Sequence, residues 1–287
     1  MADFLVCGTL AFDLIGRFDS ALDSTTRNVK LEQLDEGFGG CAMNIAYNLA
    51  LLGHRATPLV YAGTDYEPDY ATHVRRRGID AIGIMRDPTR RSARGIILTG
   101  SDGAQFTAFH PGPSGLDRVA ADAAALTARL RFDAAILAPD LPAKSLACAA
   151  AITRVPLRVW CPGQYAEHLD AAAVRALLAA VDLVLVNRHE WEVLRRIVPE
   201  CAHREPGSAL RVVVTGGPDP VVTLPDALTI PVDPVPDQER IDPTGCGDAF
   251  AAALTAALVA GQPLAAAVRA GSALAARCLR RAGAQNH

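Results

Sequence analysis

The residues best suited to chemistry lie together near the end of the chain, in Ile241-Asp242-Pro243-Thr244-Gly245-Cys246-Gly247-Asp248-Ala249-Phe250. Asp242-Pro243-Thr244 is a turn sequence: a residue before proline is pushed out of the helical region, and Asp and Thr side chains bond nearby backbone amides. From Ala249 to Gly261 the chain is rich in Ala and Leu, so a helix is expected to begin near Gly245. The amides of Gly245, Cys246 and Gly247 would then stand unshielded at the positive end of that helix, where a phosphate or a developing oxyanion binds. Asp248 falls in the first turn beside this anion site. A permanent negative charge would disturb the site, which suits Asp248 to the role of a base. Helix capping by Thr244 and Asp248 is the plainer alternative, but capping asks for no pair of glycines. A dinucleotide fingerprint starting at Gly245 fails, because Phe250 holds the third glycine position and no apolar strand precedes it.

Other constellations carry weaker signals. Gly37, Gly39 and Gly40 precede a helical pattern that runs to about Leu52 and stops at Gly53, with Ile45, Leu49 and Leu52 at helical spacing. Bare glycines at a helix start let a ligand approach the backbone, and Asn44, one turn in, reaches the same ligand; a glycine-rich turn with a buried amide is the other reading. Asp13 follows the apolar run Phe4 to Leu10, which is expected to be a first core strand leading to it. Ligands of an open α/β sheet gather at that end, although a solvated turn carboxylate fits equally. Asn187-Arg188-His189-Glu190 follows a strand directly and matches a capping box. Thr215-Gly216-Gly217 leaves another.

The elements that must position these residues form a regular pattern. Strands at Ala134–Leu137, Leu157–Trp160, Leu183–Val186 and Arg211–Val214 alternate with helices at Pro142–Ile152 and Glu167–Ala180, and two more helices are expected over 251–260 and 264–280. Short apolar strands alternating with helices indicate a parallel sheet covered on both faces. Residues Arg17 to Gly37 carry alternating patches that suit strands exposed on one face. In 92–110, Asp102-Gly103 between two β-rich runs signals a hairpin.

Composition narrows the classes. A net charge of −3 with scattered arginines suggests no nucleic-acid partner and no anionic membrane surface. Apolar residues reach 50%, but the long helical stretches are alanine-rich and interrupted, so no membrane span is expected. The N-terminal residues lack a signal-peptide pattern, which points to a cytoplasmic location. Seven widely spaced cysteines are expected to be reduced thiols, and no zinc spacing occurs. The only lysines are Lys30 and Lys144, and neither follows a glycine-rich loop, which excludes Walker-type and protein-kinase sites.

The motif DPTGCGDAF resembles the C-terminal signature of the ribokinase-like (PfkB) family of carbohydrate and nucleoside kinases, with Cys246 where many members carry alanine. The glycine–asparagine motif before and within FGGCAMNIAYNLALLG is similar to the family's N-terminal acceptor motif. The resemblance covers nearly the whole chain. It implies an α/β fold: one doubly wound, mostly parallel sheet covered by helices on both faces, in a single domain of residues 1–287. A small β lid, about 12–36 and 92–110, is inserted. By resemblance Asp248 is the base, Gly245, Cys246 and Gly247 form the anion hole, and Asp13, Gly39, Gly40 and Asn44 bind the acceptor. Asn187, Thr215, Gly217 and Asn286 fall to the nucleotide, although Pro220 stands where the family's nucleotide loop has its last glycine. Glu190 falls to Mg2+ through water. ATP with Mg2+, a monovalent cation, a small nucleoside or sugar substrate, and a homodimer through the lid are the implied ligands and partner.

FGGCAMNIAYNLALLG and TAFHPG (107–112) resemble prokaryotic nucleoside kinases, adenosine kinases among them, more than ribokinases. The expected reaction is transfer of the ATP γ-phosphoryl group to the 5′-hydroxyl of a ribonucleoside, with Phe106 or Phe109 of the lid stacking on the base or packing within the lid. A sugar or sugar-phosphate kinase of the same fold is one alternative. An inactive nucleoside-binding regulator is another, and the intact Asp248, Gly245 and Gly247 argue against it.

Overall fold

The structure, a computed structural model, describes residues 1–287 except 22, 24, 25, 103 and 203–208. In chain order it comprises β1 (Asp3–Cys7), β2 (Ala11–Arg17), β3 (Gln33–Gly39), α1 (Cys41–Leu51), β4 (Arg55–Ala62), α2 (Asp69–Arg77), β5 (Ile84–Arg86), β6 (Ala93–Thr99) and β7 (Gln105–His110). There follow α3 (Val119–Arg129), β8 (Ala134–Leu137), α4 (Pro142–Ala151), β9 (Leu157–Trp160), α5 (Ala171–Ala180), β10 (Leu183–Asn187) and α6 (Arg188–Ile197). The last elements are β11 (Arg211–Gly216), β12 (Asp219–Leu224), β13 (Thr229–Ile230), α7 (Cys246–Val259) and α8 (Leu264–Leu279).

Among the described residues the main sheet has the order β13-β12-β11-β10-β9-β8-β1-β4-β5. From β11 to β5 its neighbours pair parallel, while β12 and β13 are antiparallel. Strands covered on both faces must be apolar at every position, and successive side chains divide between two cores. Phe4 and Val6 of β1, Ile136 of β8 and Leu183 of β10 join α1, α7 and α8 on one face. Leu5, Cys7, Leu137 and Val184 join α3 to α6 on the other. Ile136 is fully buried, so its truncation to alanine is expected to cost about 2–5 kcal/mol. Six of the fourteen residues of α7 are alanine, and the helix approaches both α1 and α8 closely.

A second sheet, β3-β2-β6-β7, lies apart as a small lid. It corrects several expectations. Asp13 does not follow the first core strand but sits in the middle of β2, and β1 ends at Cys7. Residues 29–32 are not in a strand; β3 begins at Gln33. The β6–β7 hairpin pairs antiparallel, while Gly103 at its turn lies outside the described residues. In the body, the helix expected from Glu167 starts at Ala171, because Asp170 caps it by accepting from the Ala173 amide, and residues 163–168 form a 3-10 turn.

Candidate active site

Gly245 is the N-cap of α7 with φ 83°, a backbone region that glycine adopts without penalty. A Cβ at this position would also collide with Ala284. Asp242, buried, pins the approaching turn by accepting from the amides of Thr244 (2.9 Å) and Gly283 (2.9 Å). The first-turn amides of a helix lack intrahelical acceptors. That of Cys246 turns to the Pro243 carbonyl at 3.2 Å, so Gly245 and Gly247 are left as the better anion donors. Asp248 follows in the first turn, on the wall of a cavity of about 200 Å³ lined also by Cys41, Glu190, Gly245 and Gly247.

The Asp248 carboxylate accepts from Asn44 Nδ2 at 2.8 Å. Withdrawal from water pushes its pKa up to about 7, and the charge of Asp13 adds to the rise; hydrogen bonds from Asn44 and the Cys41 thiol oppose it. A carboxylate poised near neutrality is matched to accepting a hydroxyl proton. Asn44 reaches Asp248 because α1 begins at Cys41 behind Gly40, whose φ is 90° and whose Cβ would meet the backbone of Thr9 and Ala11.

Asp13 belongs to the same group of residues. Its pKa is pushed up to about 6, by burial first and Asp242 second. Cross-strand register aligns Gly37, Asp13, Gly95 and Phe109 in one row across the lid, so they share a face. A Cβ on Gly39 would collide with the Asp13 carboxylate, and one on Gly95 would come within 2.7 Å of it. Glycines at these two positions thus leave the space that the buried Asp13 carboxylate occupies. Of the two phenylalanines of β7, Phe109 lies in the Asp13 row, whereas Phe106 alternates to the opposite face; both are exposed rather than lid core.

A second cavity of about 380 Å³ adjoins the first, sharing Asn187, Thr215, Gly247 and Phe250 with it, and Gly217, Asp233, Arg240 and Ser272 also line it. Asn187 and Glu190 form a full capping box on α6: the Asn187 side chain accepts from the Glu190 amide (2.9 Å), and Glu190 accepts from the Asn187 amide (3.0 Å). Burial raises the Glu190 pKa. Magnesium needs one or two carboxylates, with phosphates and waters completing its shell, and Glu190, on the wall of the first cavity, fits that requirement. Among the described residues no cluster of three or more His, Cys, Asp or Glu forms a metal cage, and no helix is long and apolar enough to cross a membrane.

The tail after α8 packs against α1. Gln285, 2% exposed, reaches Asn44, and His287 Nε2 meets Asn48 Oδ1 at 2.8 Å. Asn286, in contrast, is exposed, donates to the Ala282 carbonyl (3.0 Å) and lines a separate hollow with Arg277 and Arg281; it does not join Asn187, Thr215 and Gly217. Cys41 and Gln285 are members of the site to which the sequence reading gave no role, and Asp242 was read there only as part of its turn. Asp242 had a signal in its own turn motif, while Cys41 and Gln285 are legible only through the spatial meeting of α1, α7 and the tail.

The chain matches the model of the pfkB family carbohydrate kinases over residues 1–287. A nucleoside kinase of Methanothermobacter thermautotrophicus is 26% identical over 290 residues, which cover 99% of this chain and 92% of the relative. The solved structure of a Burkholderia thailandensis nucleoside kinase in complex with inosine superposes with a TM-score of 0.85 at 27% identity, over 99% of this chain and 93% of that one. The nucleoside kinase of Methanocaldococcus jannaschii, an archaeal member of the ribokinase family, shares the fold with a TM-score of 0.83 at 22% identity, over 100% and 94%. With its whole length matched and its sheet, lid and helix-end site assembled as above, the chain belongs to the pfkB family of carbohydrate kinases and is a phosphotransferase that uses an alcohol group as acceptor.

Proposed function

We propose that the protein is a nucleoside kinase that transfers the γ-phosphoryl group of ATP to the 5′-hydroxyl of a ribonucleoside. The observation that carries this reading is the Asn44–Asp248 pair at the start of α7, where a carboxylate with a pKa near 7 adjoins the Gly245 and Gly247 amides. Asp248 accepts the hydroxyl proton as the oxygen attacks phosphorus, and the helix-end amides hold the charge that develops on the transferring group. Asp13, Gly39, Gly40 and Asn44 orient the ribose. Phe109, in the Asp13 row, is the lid aromatic that meets the base. Asn187, Thr215 and Gly217 bind the donor nucleotide across the larger cavity. Glu190 and Asn187 would hold Mg2+ through water, and the ion would neutralise donor phosphate charge. The inosine bound by the Burkholderia relative supports a nucleoside over a free sugar.

The reading extends to assembly. On the lid face away from Asp13, Leu34, Ile96 and Phe106 are exposed together, an apolar patch that suits a homodimer formed lid to lid. Sedimentation of the native protein beside Ile96→Lys tests this, and a native monomer at micromolar concentration would defeat it.

Product formation from ATP and Mg2+ with adenosine, inosine, guanosine, cytidine or ribose tests the activity. Nucleoside monophosphate is expected, absent from Asp248→Asn; phosphorylation of ribose alone would overturn the nucleoside assignment.

A further inference from the structure

Asn44 serves the base only if its amide nitrogen, not its oxygen, faces Asp248. A side-chain amide can turn over, and the two orientations have opposite effects on a neighbouring carboxylate: an N–H donor favours the ionised form, a carbonyl favours the protonated one. Something must therefore select the orientation.

The selection starts at a backbone group. The Tyr70 hydroxyl, fully buried, donates its single proton to the Gly39 carbonyl at 2.7 Å. A carbonyl cannot reverse its polarity, so the Tyr70 oxygen is left as an acceptor. Gln285 must then turn its NH2 toward Tyr70, at 3.2 Å, and the same nitrogen donates to Asn44 Oδ1 at 2.9 Å. Its oxygen, Oε1, meets His73 Nε2 at 2.8 Å, which fixes the proton of a neutral imidazole on that nitrogen. Burial and the nearby Arg77 lower the His73 pKa and keep the ring neutral. With its oxygen held by Gln285, Asn44 has only Nδ2 to offer Asp248, at 2.8 Å. Asn44, Tyr70 and Gln285 are each less than 5% exposed, and buried polar groups with no solvent partner keep the bonds they have.

We propose that Gln285, anchored by Tyr70 and His73, is a positioning residue that fixes the polarity of Asn44 and so holds the catalytic carboxylate ready to accept a proton. This rests on the assignment of Asp248 as the base. The other groups facing Asp248 are Asp13 on β2, Glu190 of α6 on the same cavity, and the thiols of Cys41, Cys161, Cys246 and Cys278. The Gln285 side chain hydrogen-bonds to Asn44, Tyr70 and His73 and to no carboxylate, so its influence passes through Asn44.

The test is the pH dependence of kcat/KM for the best nucleoside acceptor in native protein, Gln285→Met, Gln285→Glu and Asp248→Asn, each checked for its melting temperature. In Gln285→Glu the residue presents only acceptors to Asn44, which turns over and gives Asp248 its oxygen. The acid limb is expected to move up by about one pH unit, a loss of about tenfold at pH 6.5 that recovers as the pH is raised. Gln285→Met, uncharged, is expected to move the limb in the same direction by about half a unit. A loss equal at all pH values, or an unmoved limb, with Asp248→Asn inactive, overturns the positioning role alone. Full turnover by Asp248→Asn overturns the assignment of the base instead. In the native protein the Asn44 side-chain amide protons are expected to titrate with the acid limb in NMR spectra; amide protons that do not respond to pH there also overturn the proposal, whether or not the variants fold.

Discussion

The acceptor and donor ends of the cleft are built by different means. Around Asp248 and Asp13 the walls are side chains locked in buried hydrogen bonds, from Asn44 to Gln285 and Tyr70. Around Thr215 and Gly217 the wall is a cavity whose lining is mostly apolar, with Val221, Val235, Phe250 and Leu279 among its residues. In the proposed reaction a proton moves at one end, and its acceptor must be oriented to within a fraction of an ångström. At the other end a nucleotide is only held, and shape with a few polar groups is enough. Substitutions at the two ends are therefore expected to separate into losses of kcat and losses of donor affinity.

The largest effect is expected from Asp248→Asn, which removes the base at the acceptor end: kcat falls by about 10³-fold or more, within the range for general base catalysis plus its positioning, while nucleoside binding measured by calorimetry persists. Gly245→Ala comes next. Its Cβ meets Ala284 and its φ of 83° is unfavourable for alanine, so strain of about 1–3 kcal/mol is expected together with a displaced anion hole; a drop in melting temperature with a larger drop in kcat would be seen. Thr215→Val and Asn187→Ala act at the donor end and are expected to raise KM for ATP about tenfold with the nucleoside KM unchanged. Equal effects on both KM values would erase the contrast between the two ends.

The pH dependence sharpens it further. The proposed reaction needs ionised Asp248, so kcat/KM is expected to rise with pH through about 7. Stability moves the other way. Asp248 and Asp13 have folded-state values of about 7 and about 6 against an ordinary 3.8, so the native state binds these protons more tightly than the unfolded chain. Their contribution is favourable at low pH and is lost as pH rises from about 4 to about 7. The smallest of the expected effects follows: Asp248→Asn melts a few degrees above native protein at pH 8, and the gap closes near pH 4. Calorimetric scans at both pH values measure it.

Much of this was legible in the sequence. The parallel sheet was, because strands buried on both faces must be apolar throughout, as in Leu183 to Val186. The start of α7 was, because glycines and a pre-proline turn leave local marks. Lid strand bounds were not: Asp13 lies among apolar residues that suit either a core strand or a lid strand, and only the pairing of β2 with β3 and β6 decides it. The role of Gln285 was not legible either. Its partners come from α1 and α2, and nothing local distinguishes it from a glutamine at a frayed end. The helix expected from Glu167 failed for a local reason, since the Asp170 cap outweighs the helical propensity of the residues before it.

Asn44 and Asp248 are separated by 204 residues along the chain, and Gln285 and Asn44 by 241. Contacts of such span are expensive to close early, since ordering the intervening chain must come first or together with them. The helical segments of α1 and α7 can form on their own timescale, but the proton acceptor exists only once those two helices pack against each other. Recovery of catalysis on refolding should accordingly lag behind recovery of helical circular dichroism. Partly folded forms of this kinase would then be unable to consume ATP.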